Sequence, residues 1–211
     1  DWVEELPEVI YPAARSPRRA YNSRELIRIT DWLRSRPRRD SRRVAYILVA
    51  LGLGAGMTTE EICHCCYGDF TDYGTVLAVH ARGGRGLKPR TIPLTEPYGD
   101  VMRQVLRGVG ADRRDEPLVK PNSVRRRDDA TGPHLIPDFI HKTSQNPSST
   151  GIAPIINRLR YTWIADHAAE YVDFNQLVYA TGVIQPFHHA FHQMIVEAGA
   201  LTEAEYWVWA K

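Results

Sequence analysis

The sequence is poor in cysteine, in lysine and in long apolar runs, and each shortage excludes a class of protein. Its 211 residues include three cysteines, all within Cys63–Cys66, which are too few and too clustered for a disulfide scaffold. No apolar run approaches the roughly 20 residues that a membrane-spanning helix requires. With 43% hydrophobic and 25% charged residues, the composition is that of a globular protein. Because thiols persist in reducing compartments, we expect a cytoplasmic location, at the nucleoid if the source is bacterial.

The chain also lacks an initiating methionine and the charged and apolar stretches of a secretory leader. It opens with Asp-Trp-Val-Glu-Glu-Leu, which favours a fragment of a longer chain and no signal peptide. We expect residues 1–41 to form a basic segment with a first helix. Residues 42–211 are expected to form the scaffold of one structural domain.

Positive charge is unevenly distributed along the chain. The net charge is only +2, but 23 of the 27 basic residues are arginine. Residues 15–43 contain 11 arginines and three acidic residues, whereas residues 1–8 contain four acidic residues and no base. The guanidinium fork matches two phosphate oxygens at once, so this pattern slightly favours a nucleic-acid partner. A genome rich in GC would raise the arginine content in the same way.

The apolar periodicity and the capping signals predict a mainly helical α+β fold with one small antiparallel sheet. Asn22 and Glu25 form a helix-start signature, as do Thr58 and Glu61. Two strand-like runs flank a Gly- and Arg-rich stretch at 82–90, which predicts a hairpin with a mobile basic tip. The predicted strands are 76–81 and 91–94, and a long polar loop is predicted over 110–137. The predicted helices are 22–37, 42–53, 58–66, 97–109, 137–145, 154–170, 173–181, 186–199 and a last one after Thr202.

Three segments, in this order, carry a resemblance to a known family. Residues 49–62 read VALGLGAGMTTEEI, residues 84–94 read GRGLKPRTIPL, and residues 157–162 read NRLRYT. They resemble the TGLRISEL, GKGNKERIVPL and HxLRHT segments of the catalytic domain of tyrosine recombinases, also called phage integrases. The resemblance covers roughly residues 42–200 and implies the fold of that domain.

The resemblance also implies where the family's chemistry would lie in this chain. In the family two arginines clamp the phosphate, a hairpin lysine acts as the acid, two His or Trp positions assist, and a tyrosine attacks. The two phosphate-clamping arginines match Thr58 and Arg160, and the lysine matches Arg85. The two assisting positions match Asn157 and Val183, and the tyrosine matches His192. Only Arg160 is matched, and Arg85 conserves the charge with a pKa too high for a proton donor. Lys88 could act in place of Arg85, and a one-residue slip would put Phe191 at the nucleophile position.

These replacements predict a DNA-binding protein that has lost strand cleavage and is accessory to, or derived from, a mobile-element integrase. Its partner would be double-stranded DNA, held mainly through the phosphates, with no cofactor and no membrane. A homo-oligomer or a recombinase partner could form through the C-terminal helix. The residues expected to contact DNA are Arg82, Arg85, Lys88, Arg90, Arg125, Arg126, Arg127 and Arg160.

Several alternatives stay open from the sequence alone. The chain could be an active recombinase with a relocated nucleophile, Tyr206 or His192, or a protein-interaction module that has lost DNA binding. Thr58 is better explained as a helix cap than as a phosphate ligand. Cys63–Cys66 lack the spacing of a zinc site, and His188 and His192 lack the glutamate of an HExxH motif, so we predict no metal.

Overall fold

The computed structural model describes residues 19–84, 86–119, 135–145, 150–170, 172–183, 192 and 195–210. Eight helices and three strands are named below. The helices are α1 (Ser23–Arg34), α2 (Arg39–Ala55), α3 (Thr59–His64), α4 (Tyr98–Leu106), α5 (Leu135–Ser144), α6 (Ile156–Ala169), α7 (Phe174–Thr181) and α8 (Glu203–Trp209). The strands are β1 (Phe70–Asp72), β2 (Leu77–Ala81) and β3 (Arg90–Pro93), and short 3₁₀ turns lie at Tyr67–Asp69 and Ala111–Arg113. No helix in these ranges has the length and hydropathy needed to span a bilayer.

The three strands form one antiparallel sheet in the order β1-β2-β3. Val79, at the centre of β2, pairs with Phe70 on one side and Ile92 on the other. On β2, Leu77, Val79 and Ala81 share one face and are buried there by α4 and the main core. On the opposite face Ala78 is buried and His80 is exposed. The sheet therefore positions the start of β3, where Arg90 lies, against the interior of the protein.

The core is organised around α2, which packs against both α4 and α6. Residues 47–55 of this helix are all buried. A β carbon at Gly52 would lie 2.8 Å from the Leu159 Cβ, so this glycine allows α2 and α6 to approach closely. Helix α2 ends at Gly56, whose φ of 56° is left-handed, and a β carbon there would collide with the Trp163 ring. Two glycines thus set the distance between the helices that carry the candidate site.

Most of the predicted elements are present, and the differences have local reasons. The first strand, Phe70–Asp72, is not expected from the sequence, because a three-residue strand has too short a pattern and exists only by pairing with β2. Pro154 precedes α6 and its cap Ile155, rather than lying in the first turn. Of the expected helix 186–199, residue 192 and residues 195–197 are helical, and residues 184–191 lie outside the described part.

We expect Gly56→Ala to destabilise the fold more than Gly74→Ala. Both glycines have a positive φ, which costs an alanine about 1–2 kcal/mol. A β carbon at Gly74 would meet no atom within 4 Å, whereas one at Gly56 would overlap the Trp163 ring, which adds about 1–3 kcal/mol. Chemical denaturation of both variants measures the difference, and equal losses would contradict the packing argument.

Candidate functional site

The candidate site lies where the end of α2, the start of α3, the start of β3, α6 and the end of α7 meet. It brings together three of the residues singled out from the sequence, Thr58, Arg90 and Arg160. It adds the carboxylate of Glu61, which the sequence predicts only as the capping partner of Thr58, and the carbonyl of Thr181. No local sequence pattern predicts the role of the Thr181 carbonyl.

Thr58 is the N-cap of α3, and the capping box expected from the sequence is present. The amide of Glu61 donates to Thr58 Oγ1 at 3.3 Å. In return, the amide and the hydroxyl of Thr58 donate to Glu61 Oε2 at 2.9 and 3.1 Å. At the position that the resemblance assigns to the family's first arginine, the threonine therefore caps the helix and brings no positive charge.

The same Glu61 carboxylate forms an ion pair with Arg90, and both side chains have no exposed surface. The Arg90 guanidinium donates to both carboxylate oxygens, and its Nε donates to the carbonyl of Ala180 at 2.7 Å. Burial by itself would raise the pKa of Glu61. The hydrogen bond and charge of Arg90, helped by the Thr58 amide, outweigh it and hold that pKa below the ordinary value. Glu61 is therefore ionised at neutral pH.

Arg160 projects from α6 into the same cluster and is 6% exposed. Its guanidinium donates to the carbonyl of Gly56, at the end of α2, and to the carbonyl of Thr181 at 2.8 Å. Burial and then the nearby charge of Arg90 lower the pKa of Arg160 to about 10, although Glu61 opposes this. The side chain stays protonated at neutral pH, and it connects three helices.

The other positions that the resemblance assigns to the active site lie in different surroundings where the structure describes them. Asn157 is exposed on the first turn of α6. Val183 is half-buried and pairs with Leu87, next to a hydrogen bond from the Lys88 amide to Gly182. His192 packs against the rings of α8 instead, and Arg85 lies outside the described residues.

The side chains proposed to contact DNA divide into three groups. Arg90 is wholly buried, so it is an internal partner of Glu61 and not a surface cation, contrary to its expected place on a basic tip. Arg82 is exposed but paired with Asp69 at 2.8 Å, and Lys88 is exposed. The run 125–127 lies outside the described residues, as does Arg85. His188, considered above for a metal, also lies outside them.

The two alternative nucleophiles lie in an aromatic cluster at the end of the chain. Tyr206 has no exposed surface, and burial raises the pKa of its hydroxyl. The His192 ring lies 4.9 Å from the Tyr206 ring and 5.5 Å from the Trp207 ring, centroid to centroid. A hydroxyl that is buried and hard to deprotonate is poorly placed to attack a phosphate.

The cysteines and acidic side chains give no sign of a metal centre within the described ranges. No group of three or more His, Cys, Asp or Glu residues there has the arrangement to hold a metal ion. Cys63, Cys65 and Cys66 are free and buried. Burial raises the pKa of each thiol, which makes the reactive thiolate scarce.

Taken together, the elements and the cluster define a mainly helical α+β protein with a small three-stranded antiparallel sheet and a tyrosine-recombinase-like fold. The chain is similar to the crystal structure of XerA recombinase, with a TM-score of 0.55 and 17% sequence identity. The similarity covers 88% of this chain and 61% of the XerA chain, so this chain spans about three-fifths of that structure. No family model and no curated protein sequence matches the chain.

We expect Glu61→Gln to lower the free energy of unfolding by about 3–5 kcal/mol at neutral pH, because it leaves the buried Arg90 charge uncompensated. Glu96→Gln is the matched control. Glu96 also pairs with an arginine, Arg103, but its side chain is 52% exposed, so a loss below about 1 kcal/mol is expected. Urea denaturation of both variants tests this, and similar losses would contradict a central role for the buried pair.

The destabilisation caused by Glu61→Gln should itself depend on pH. Because the pKa of Glu61 is lowered in the folded state, its charge stabilises the fold above the unfolded pKa, near 4.5. That contribution is lost as the pH falls through the lower folded-state pKa. The gap between the wild type and Glu61→Gln should therefore narrow progressively below pH 4.5. A gap that stays constant down to acid unfolding would argue against the ionised pair.

Proposed function

We propose that this protein binds DNA on a tyrosine-recombinase-like scaffold and does not cut it through a phosphotyrosine intermediate. The main support for the proposal is that the side chains at the two phosphate-clamp positions are bonded within the protein. Thr58 caps a helix and brings no charge, while Arg160 is buried and donates to the carbonyls of Gly56 and Thr181. Both positions stabilise the fold in this chain.

The chemistry of strand cleavage explains why these changes argue against activity. Cutting a phosphodiester by covalent catalysis needs a nucleophile, cations on the phosphate oxygens and an acid for the leaving oxygen. Here the cations at the site are engaged inside the protein, and Asn157 cannot exchange a proton in the place of a histidine. Tyr206 is buried. The nucleophile and the phosphate clamps are thus weakened independently of each other, whereas Lys88 stays exposed on the hairpin as a candidate acid.

DNA binding is supported by the fold and by the cations that remain exposed. XerA is a recombinase, and a recombinase-like fold suggests a role related to DNA. Lys88 lies exposed on the hairpin beside the site. Exposed cations give binding that depends on phosphates, with strong salt dependence and little sequence preference. Within this proposal the protein is an accessory to a mobile-element integrase, or a descendant of one, and acts on double-stranded DNA.

One observation favours a second function, a protein-interaction module. On α8, Trp207 is 49% exposed and Val208 is 73% exposed. Aromatic side chains of this kind are common anchors of protein interfaces. A homo-oligomer or a recombinase partner would be the natural occupant of this helix, with or without DNA.

The test is binding of the chain to a short labelled duplex, intact or nicked, followed by denaturing gels of the same samples. We expect DNA binding that weakens steeply between about 50 and 200 mM salt, and no covalent protein–DNA adduct on the denaturing gel. An active recombinase with this fold, on its own nicked site, is the positive control.

Two results would contradict the proposal. A covalent adduct would show that cleavage survives, and Tyr206→Phe and His192→Gln would then identify the attacking group. Absence of binding even at low salt would exclude DNA as the partner and leave the interaction module.

A further inference from the structure

A second basic surface lies at the far end of α2 from the candidate site. It surrounds the turn between α1 and α2 and includes the end of α5. We call it the α1–α2 edge and define it by Arg34, Arg38, Arg39, Arg42 and Lys142, all of which are exposed. Since α2 has 17 residues, this edge and Thr58 are separated by about 25 Å, the length of the helix.

Arg36 fixes the geometry of this edge from inside. Its guanidinium is buried, lies 4.7 Å from the centroid of the Trp32 ring, and donates to the carbonyl of Thr143 at 2.6 Å. This bond joins the end of α5 to the turn. Arg42 in turn donates to the Arg36 carbonyl at 3.1 and 2.8 Å, through two nitrogens. Hydrogen bonds from Arg36 and Arg42 therefore hold the backbone of the turn that carries the edge cations.

The cations of the edge carry charge that no acidic side chain within the described ranges neutralises by an ion pair. Elsewhere in those ranges several arginines are paired: Arg82 with Asp69, Arg90 with Glu61, Arg103 with three carboxylates, and Arg158 with Glu25. Asp40 is the acidic residue within the turn and the first turn of α2. Exposed cations without an ion pair also occur elsewhere in those ranges, among them Arg24, Lys88, Arg107 and Arg114, but four of the five edge cations lie together in residues 34–42 around one turn.

The edge also lacks the apolar residues that a protein partner would require. The large exposed hydrophobic side chains of the described part are Ile27, Tyr73, Val76, Ile155, Tyr179, Trp207 and Val208. None of them belongs to the edge. Protein interfaces usually have a desolvated apolar or aromatic centre, whereas a phosphate backbone needs cations alone. Guanidinium groups are particularly suited to phosphate oxygens.

We infer that the α1–α2 edge holds the phosphate backbone of double-stranded DNA, and that it supplies more of the binding than the buried cluster at Thr58. This inference rests on the proposed DNA-binding function and assigns that function to a surface. It follows that binding is electrostatic, tolerates any sequence, and is insensitive to changes in the Arg160 cluster that leave the fold intact.

The experiment compares two triple variants with the same loss of charge, using a labelled duplex of arbitrary sequence in a salt series. Arg34→Gln/Arg38→Gln/Arg39→Gln removes three cations of the edge. Arg24→Gln/Arg107→Gln/Arg114→Gln removes three exposed cations elsewhere. We expect the edge variant to lose affinity about tenfold or more at low salt, and the slope of log K against log salt to fall by about two to three. The control should remain close to the wild type.

Lys142→Gln provides an independent variant on another helix, and it should reduce the slope by about one. Because all these positions are exposed, each substitution should change stability by less than about 0.5 kcal/mol, which thermal melts check. A polyglutamate competitor of equal charge should displace the duplex poorly. Efficient displacement would instead indicate an acidic protein partner and overturn the inference.

The remaining outcomes separate this inference from the proposed function. Equal losses of DNA affinity in both triple variants would show that only the net charge of the protein matters. Unchanged affinity in the edge variant would show that DNA binds at another surface. Either result overturns the assignment of DNA binding to the edge but leaves the proposed DNA-binding function intact. Failure of the wild type to bind at low salt overturns the proposed function itself.

Discussion

The buried ion pair between Arg90 and Glu61 is the constraint on which the candidate site depends. The one carboxylate accepts hydrogen bonds from the guanidinium of β3 and from the cap of α3, and Arg90 also reaches the carbonyl of Ala180 on α7. A second guanidinium, that of Arg160, lies near enough for Arg90 to lower its pKa. Without Glu61, two like charges would face each other in a medium of low polarity.

Because of this arrangement, the resemblance to recombinases supports a shared fold but not a shared activity. A fold does not determine an activity, because function depends on particular side chains in a site. The resemblance assigns Arg160 to a phosphate clamp, yet its hydrogen bonds go to the carbonyls of Gly56 and Thr181. The similarity to XerA recombinase, at 17% identity, shows the fold alone. The cations at the site are bonded to a carboxylate or to carbonyls inside the protein.

The two ends of α2 differ in how their charges are satisfied. At the end near Thr58, ionised groups are buried and matched to one another or to carbonyls. At the end near Arg39, cations are exposed and form no ion pair within the described ranges. A buried charge requires a partner, because an unpaired charge inside the protein is costly, whereas an exposed arginine needs no partner within the protein. The arginine-rich stretch 15–43 contains both kinds, since Arg36 is buried whereas Arg38 and Arg39 are exposed, and only the fold separates them.

The sequence by itself determined the features that depend on near neighbours. The caps at Asn22, Thr58 and Thr202 close through bonds to a residue three positions further on, and the apolar spacing of α2 marks its buried face. The α+β class and the hairpin follow from the same local patterns. Tertiary structure decided the rest: strand β1 exists through its pairing with β2, and Arg90 meets Glu61 across 29 positions of the chain. Only the packing of distant segments decides which cations are buried and which stay exposed, because the burial of a side chain depends on residues far away in the sequence.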